Sequence, residues 1–284
     1  MLVMQKITPF LWFDTQAREA AEFYCSVFPD SKITEQAGIV TSYRLMGLEM
    51  AGMSAGPYFK PNPSISFSAR IVDKDLTKQI WDKLSEGAEI LMAFDNYEWS
   101  AGYGRCNDKY GVSRQIMYDN RPDRKNELVP SLMLTQDMFG RAQEAMDFYS
   151  SIFPDSKVDF VWNYPAGGPD EGKVAHAEIK LAGQQFIIME SSAEHKFKFD
   201  EGVSLVVHCK GQDEVDRYRN ALLADGGQES QCGWLKDKFG VSRQVTPDEL
   251  MDAIYHNDDP EKAKYAQDQM MKMHKIVIAD LYKK

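Results

Sequence analysis

The chain repeats itself. Residues Ala17–Ile33 read AREAAEFYCSVFPDSKI and residues Ala142–Val158 read AQEAMDFYSSIFPDSKV. At an offset of 125, eleven of these 17 positions are identical, among them Glu19, Phe23, Tyr24 and the whole Phe28–Lys32 run. A second block, Asp108–Ile116 (DKYGVSRQI), returns as Asp237–Val245 (DKFGVSRQV) at an offset of 129. Seven of its nine positions are identical, and the other two are Tyr/Phe and Ile/Val exchanges. Two blocks in the same order at nearly one spacing mean a tandem duplication, with a short insertion in one loop. A chain of 284 residues has room for two such units. We place the copies at 1–121 and 128–247, joined by a polar, proline-bearing linker at 122–127 and closed by a helical tail over 248–284.

Within each copy the periodicities alternate between those of strand and helix, which predicts an α+β fold. Ile7–Phe13 and Leu128–Leu134 read as short strands, each followed by a helix. In the first of these helices Ala17, Ala20, Ala21, Tyr24, Val27 and Phe28 fall on one face, and Pro29 and Pro154 stop continuation. Strands are expected at Ser42–Ala51 in copy one and at Val174–Leu181 and Phe186–Glu190 in copy two, the last two turning at Ala182-Gly183. A second half-unit starts at Ile65–Val72 and Val203–His208, with helices near Leu76–Glu86 and Val215–Ala224 and left-handed caps at Gly87 and Gly226. Asp-Lys-aromatic-Gly then reads as a hairpin turn between two strands. In the tail, Met270, Met271, Met273, Ile276, Val277 and Leu281 supply an apolar face expected to dock on copy two or on a partner subunit.

Composition narrows the function classes. The net charge is −10 with no basic stripe, so nucleic acid is not the expected partner. No run approaches the ~18 apolar residues of a membrane span. The start, MLVMQKITPF, lacks the pattern of a secretory signal, so the cytoplasm is the expected compartment. Cys25, Cys106, Cys209 and Cys232 show no CxxC spacing and are expected to be free thiols.

The run FY-x-x-x-FPDSK after a short strand, together with HAEIKLAG, CGWLKDKFGVSRQV and the tail pattern DDPEKA…MMKMHKIVIADL, resembles the PhnB-type branch of the glyoxalase/bleomycin-resistance superfamily. This superfamily is also called vicinal oxygen chelate, and the branch is often labelled 3-demethylubiquinone-9 3-methyltransferase-like. The resemblance covers almost the whole chain. It implies two tandem glyoxalase-like domains, each of paired βαβββ modules curling their sheets around a cleft, with one cleft expected per copy. It leaves open whether modules pair within a copy or are exchanged between copies. Metal-dependent members hold their ion with four His, Glu or Gln ligands from the first and last strands of the modules. Carried over, those positions fall on Thr8, Ala51, Ser66 and Gln115 in copy one, and on Val129, Met189 or Glu190, Ser204 and Gln244 in copy two. Neither set offers three good ligands, so no metal and no other cofactor is expected.

His176 and Glu178 are two apart on a strand and so share a face, as a candidate acid/base pair in copy two. The counterpart of His176 in copy one is Val40. Trp99, Tyr103 and Trp234 precede the duplicated hairpins and are candidate aromatic walls of a small-molecule site, with Gln115 and Gln244 in its floor. Arg114 and Arg243 alternate with these glutamines, so if the glutamines face the cleft the arginines face away from it, where they are expected to mark an interdomain or subunit contact. The methyltransferase label finds no glycine-rich turn after a strand to support it. Gly167-Gly168 lies in a loop and Gly226-Gly227 at a helix exit. The expected function is metal-free binding of a small metabolite, to sequester or sense it. The alternative is an enzyme acting on a small oxygenated or aromatic metabolite. A homodimer is left open.

Overall fold

The computed structural model describes residues 5–282. The opening MLVM of the segment read for a leader and the last two residues of the tail lie outside that range. The chain runs through four modules of one pattern, a strand, a helix and three more strands. The first comprises β1 (Ile7–Phe13), α1 (Ala17–Val27), β2 (Lys32–Ala37), β3 (Val40–Leu45) and β4 (Leu48–Ser54). The second comprises β5 (Ile65–Ile71), α2 (Lys74–Ser85), β6 (Glu89–Tyr97), β7 (Ser100–Asn107) and β8 (Ser113–Tyr118). The third comprises β9 (Glu127–Leu134), α3 (Ala142–Ile152), β10 (Lys157–Asn163), β11 (Val174–Leu181) and β12 (Gln184–Glu190). The fourth comprises β13 (Val203–Cys209), α4 (Gly211–Leu223), β14 (Gln228–Glu229), β15 (Trp234–Lys236) and β16 (Ser242–Pro247). The tail adds α5 (Asp248–Ile254), α6 (Pro260–Met270) and a 3-10 turn at Ile278–Leu281.

In each module the spatial order is first, fourth, third, second strand. First and fourth strands are parallel where their register is defined, as in β5 with β8, β9 with β12 and β13 with β16. A parallel pair needs a crossover, and the remaining strands follow as antiparallel hairpins. Modules join through their first strands, giving two eight-stranded sheets, β14-β15-β16-β13-β1-β4-β3-β2 and β10-β11-β12-β9-β5-β8-β7-β6. The joins are therefore between copies. The second module, from copy one, shares a sheet with the third, from copy two, and the first joins the fourth. The expectation that each copy encloses a cleft of its own is corrected by this exchange. The chain divides into two compact units, Leu11–Val203 and the remainder. The sheet of modules two and three lies wholly in the larger unit.

The local reasons are those of the sequence. Helix α1 buries Ala17, Ala20, Ala21, Tyr24 and Val27, the predicted stripe, and Phe28 N–H closes it on the Tyr24 carbonyl before Pro29. Helix α2 starts at Asp73, whose side chain accepts from Leu76 N–H. It lies so close to β7 that a Cβ on Gly104 would meet the Trp81 ring at 2.6 Å. The predicted strand Ser42–Ala51 is in fact a hairpin. Met46 and Gly47, both with positive φ, turn β3 into β4 as Ala182 and Gly183 turn β11 into β12. The edge strands β2, β6 and β10 received no separate prediction. Strand β10 is exposed along its whole length and so shows no buried period. All four cysteines are free thiols.

The tail docks on the fourth module. Leu250, Ala253, Ala266, Ile276 and Leu281 form a buried cluster, with Ile254, Met270 and Met273 packed against it. Cys232 and Gly233 N–H donate to the Met273 and His274 carbonyls, and Gln212 clamps the Ile276 carbonyl and Ile278 N–H. Met271, predicted on the docking face, is 57% exposed. No helix among the described residues is long and apolar enough to cross a membrane.

Candidate functional site

The sheet of modules two and three has one face under helices and one without. Arg114 on β8 faces the helix side, where its guanidinium lies 4.2 Å over the Tyr24 ring and its Nε donates to Asp108 at 3.1 Å. The interdomain or subunit contact expected for Arg114 is therefore corrected: the side chain is held in a fully buried ion pair inside the fold. Asp108 also accepts from Tyr110 and Val112 N–H, so one carboxylate shapes the Asp-Lys-aromatic-Gly turn and neutralises the arginine. Asp237 and Arg243 repeat the arrangement.

Alternation then puts Gln115 on the helix-free face. Its Nε2 donates to Ser66 Oγ at 2.9 Å, and its Oε1 accepts from the Tyr103 hydroxyl at 2.9 Å. Burial, with Tyr97 adding and Arg105 opposing, raises the Tyr103 pKa, so the phenol stays protonated and donates. Ser66 stands opposite Ser131 across the β5–β9 junction, and the buried Ser131 Oγ has no hydrogen-bond partner among the described residues. Further along the same strand, Arg70 of β5 donates from Nη1 to Glu127 at 3.1 Å and from Nη2 to Glu178 at 2.6 Å. His176 Nε2 lies 3.7 Å from the same Glu178 oxygen. The nearby His176 imidazole and the Arg70 guanidinium overcome the opposing effect of burial and pull the Glu178 pKa down to about 2.

The candidate residues are therefore only partly brought together. Trp99, Tyr103, Gln115, His176 and Glu178 share the sheet of modules two and three. The acid/base candidates of copy two thus lie in one sheet with the aromatic and amide candidates of copy one, and Arg70 of copy one reaches Glu178 across the junction. The aromatic rings of Tyr97 and Trp99 stack at 4.9 Å at one margin, and Phe160 and Trp162 pair with Glu178 and His176 at the other. Exposure falls from 59% at Trp99 and 55% at Trp162 to 1% at Ser66 in the middle. Trp234 and Gln244 lie in the other sheet. There Gln244 Nε2 donates to Ser204 Oγ at 2.9 Å, Trp234 stands opposite Gln244, and His208 Nε2 lies 3.0 Å from Thr8 Oγ1. Burial, and the charge of Lys6, hold the His208 pKa down to about 4.

Arg70, Glu127 and Ser131 were missed. The polar phase Ser66, Ser68, Arg70 in an otherwise apolar strand was the available signal. Glu190, kept as a candidate ligand, is on the helix side. Its carboxylate accepts from Ala142 N–H at the start of α3 and from Val174 N–H.

A chelated metal fits none of this. In the sheet of modules two and three the transferred positions carry Ser66, Gln115, Val129 and Met189. These are a hydroxyl, an amide bonded at both ends, a hydrocarbon and a thioether, where a hard or borderline cation takes carboxylate and imidazole. In the smaller unit, Thr8 is engaged by His208 and Ser204 by Gln244.

Comparison with known proteins agrees with the topology. The family model described as 3-demethylubiquinone-9 3-methyltransferase matches residues 5–117 and again 126–246. A solved structure described as a putative 3-demethylubiquinone-9 3-methyltransferase, PhnB protein, from Bacillus cereus is 31% identical, covering 40% of this chain and 100% of its own, with a TM-score of 0.38. Glyoxalase I from Zea mays is 10% identical, covering 83% of this chain and 89% of its own, with a TM-score of 0.53, a likeness of fold alone. No curated protein matches the chain.

Proposed function

The chain belongs to the 3-demethylubiquinone-9 3-methyltransferase-like (PhnB) family, in two copies and with the glyoxalase fold, and on that premise we propose that it binds a small metabolite without a metal. The binding surface is the helix-free face of the sheet built from modules two and three. What carries this reading is the polar track at the junction of the copies. Ser66, Gln115 and Tyr103 form one hydrogen-bonded chain, and Arg70 is hydrogen-bonded to Glu178 with the His176 imidazole 3.7 Å from the same carboxylate oxygen. Burial at the centre and exposed aromatic rings at both margins are what the floor and walls of a small-molecule site require. The Gly167-Gly168 and Gly226-Gly227 pairs do not link a strand to a helix, which speaks against a nucleotide-type methyl-donor site. We take the protein to act in the cytoplasm, with no nucleic-acid or membrane partner.

An enzymatic reading has one specific observation in its favour, the His176–Glu178 pair. A carboxylate held near 2 is a poor proton acceptor at neutral pH, so in that reading Glu178 orients His176 and the imidazole moves the proton.

Metal analysis of untagged protein, followed by a melting-temperature screen of a metabolite library, tests the proposal. The expected result is far less than one metal per chain and at least one metabolite that raises the melting temperature. A tightly held equivalent of metal refutes the metal-free reading. A hit that is turned over by the wild type and not by a folded His176→Ala variant promotes the enzyme.

A further inference from the structure

Three arginines on β5, β7 and β8 enter the interior of this sheet, and two of them are matched. Arg70 holds Glu127 and Glu178, and Arg114 holds Asp108. Arg105 is different. Its place opposite Gln115 in the β7–β8 register puts it on the helix-free face. Its Nε and Nη2 are shut off from solvent with no hydrogen-bond partner among the described residues. Burial lowers its pKa, with Tyr103 opposing. Guanidinium nitrogens shut off from water with neither a counter-charge nor a hydrogen-bond partner are costly for a fold to keep.

The framework does not need a cation there. At the offset of 129 the counterpart of Arg105 is Trp234, which stands opposite Gln244 as Arg105 stands opposite Gln115. The duplicated module thus folds with an indole at this position. Nε and Nη2 form one edge of the guanidinium, with two parallel N–H groups at the spacing of two carboxylate or phosphate oxygens. Beside it Tyr103 touches the stacked Tyr97 and Trp99 rings, with centroids 6.2 and 6.1 Å away. The Arg105 charge also reaches His195, whose pKa is lowered mainly by burial and further by this arginine.

We propose that Arg105 is the ligand-recognising cation of this face and that the ligand is a small planar organic anion. Its carboxylate or phosphate takes the Nε–Nη2 edge, and its flat body lies against the Tyr97–Trp99–Tyr103 cluster. This requires the outer torsions of the half-buried side chain to turn so that the edge meets the entering oxyanion. The inference rests on the small-molecule reading above and adds the charge and shape of what is bound.

The test uses the full chain as wild type, R105M and R105K, with benzoate, phenyl phosphate and the neutral benzamide as probes. Melting shifts and calorimetric titration are read in low-chloride buffer. The two anions are expected to bind wild type and benzamide to bind far more weakly. R105M should lose roughly tenfold to a hundredfold in affinity, and R105K should fall between, because a point charge replaces the fork. Ligand-free R105M should melt above wild type, because the uncompensated charge is gone. Benzamide binding as tightly as benzoate, with R105M unchanged, overturns the inference and leaves small-molecule binding standing. If no probe binds, the ligand-free comparison decides: R105M melting at or below wild type overturns the inference, and melting above supports it. Loss of the wider reading is a separate result, an empty metabolite screen.

Discussion

Asp108 shows how much one side chain can be asked to do. It orders a turn, accepts from two backbone N–H groups and neutralises a guanidinium that is fully buried. Asp108→Ala should therefore cost about 3–5 kcal/mol in urea unfolding, most of it from the uncompensated charge on Arg114. The alternation of Arg114 and Gln115 was legible in the sequence. Which of them met the helices was not, because period two gives relative faces and no absolute one. Acid titration should show two separate limbs. His208 is held near 4 when folded against an ordinary value of 6.5. The unfolded chain therefore takes up a proton first, and stability falls as pH drops from about 6.5 to 4. Glu178 is depressed to about 2 from 4.5. Its contribution is complete above pH 4.5 and is lost as pH falls toward 2. Melting temperatures followed against pH should lose the upper limb in His208→Gln and keep it in Glu178→Gln.

Among the elements, those with a buried stripe and a clear stop were legible, as α1 with Pro29 shows. Those whose form depends on a neighbour were not. Met46 in a left-handed turn hides the β3–β4 hairpin, since an unbranched apolar residue reads as strand. The tail was expected to be helical and is, but its grip comes from groups with no periodicity. The Gln212 side chain bonds both sides of the backbone at Ile276–Ile278, and Ile276 is 0% exposed in the cluster. Ile276→Ala should cost about 2–5 kcal/mol by denaturant titration, the range for truncating a buried aliphatic side chain. Met271→Ala, at an exposed position in the same apolar run, should change stability by less than about 0.5 kcal/mol.

At the scale of the molecule, duplication makes the partner of each module ambiguous. Four modules with similar first strands can pair in several ways, and the apolar patterning of the strands does not distinguish Ile65–Ile71 meeting Glu127–Leu134 from Ile65–Ile71 meeting its neighbour within the copy, although Arg70 finds Glu127 across the junction. Motif reading therefore leaves the pairing open. The exchange has a consequence for fragments. In the intact chain β5 is hydrogen-bonded to β9, so residues 1–121 alone carry an unpaired first strand in the middle of what should be a sheet. Expressed by itself, this copy should satisfy that edge with a second molecule and sediment as a dimer whose fraction rises with concentration. Mixed with residues 122–284, it should instead form a one-to-one complex that restores the Arg70–Glu178 contact, and Arg70→Ala should weaken that complex more than Arg18→Ala on the exposed face of α1. A stable monomer of 1–121 would mean that the two modules of one copy can close on each other. The proposed composite site, with Gln115 from one copy and Glu178 from the other, would then be one of two arrangements open to this sequence.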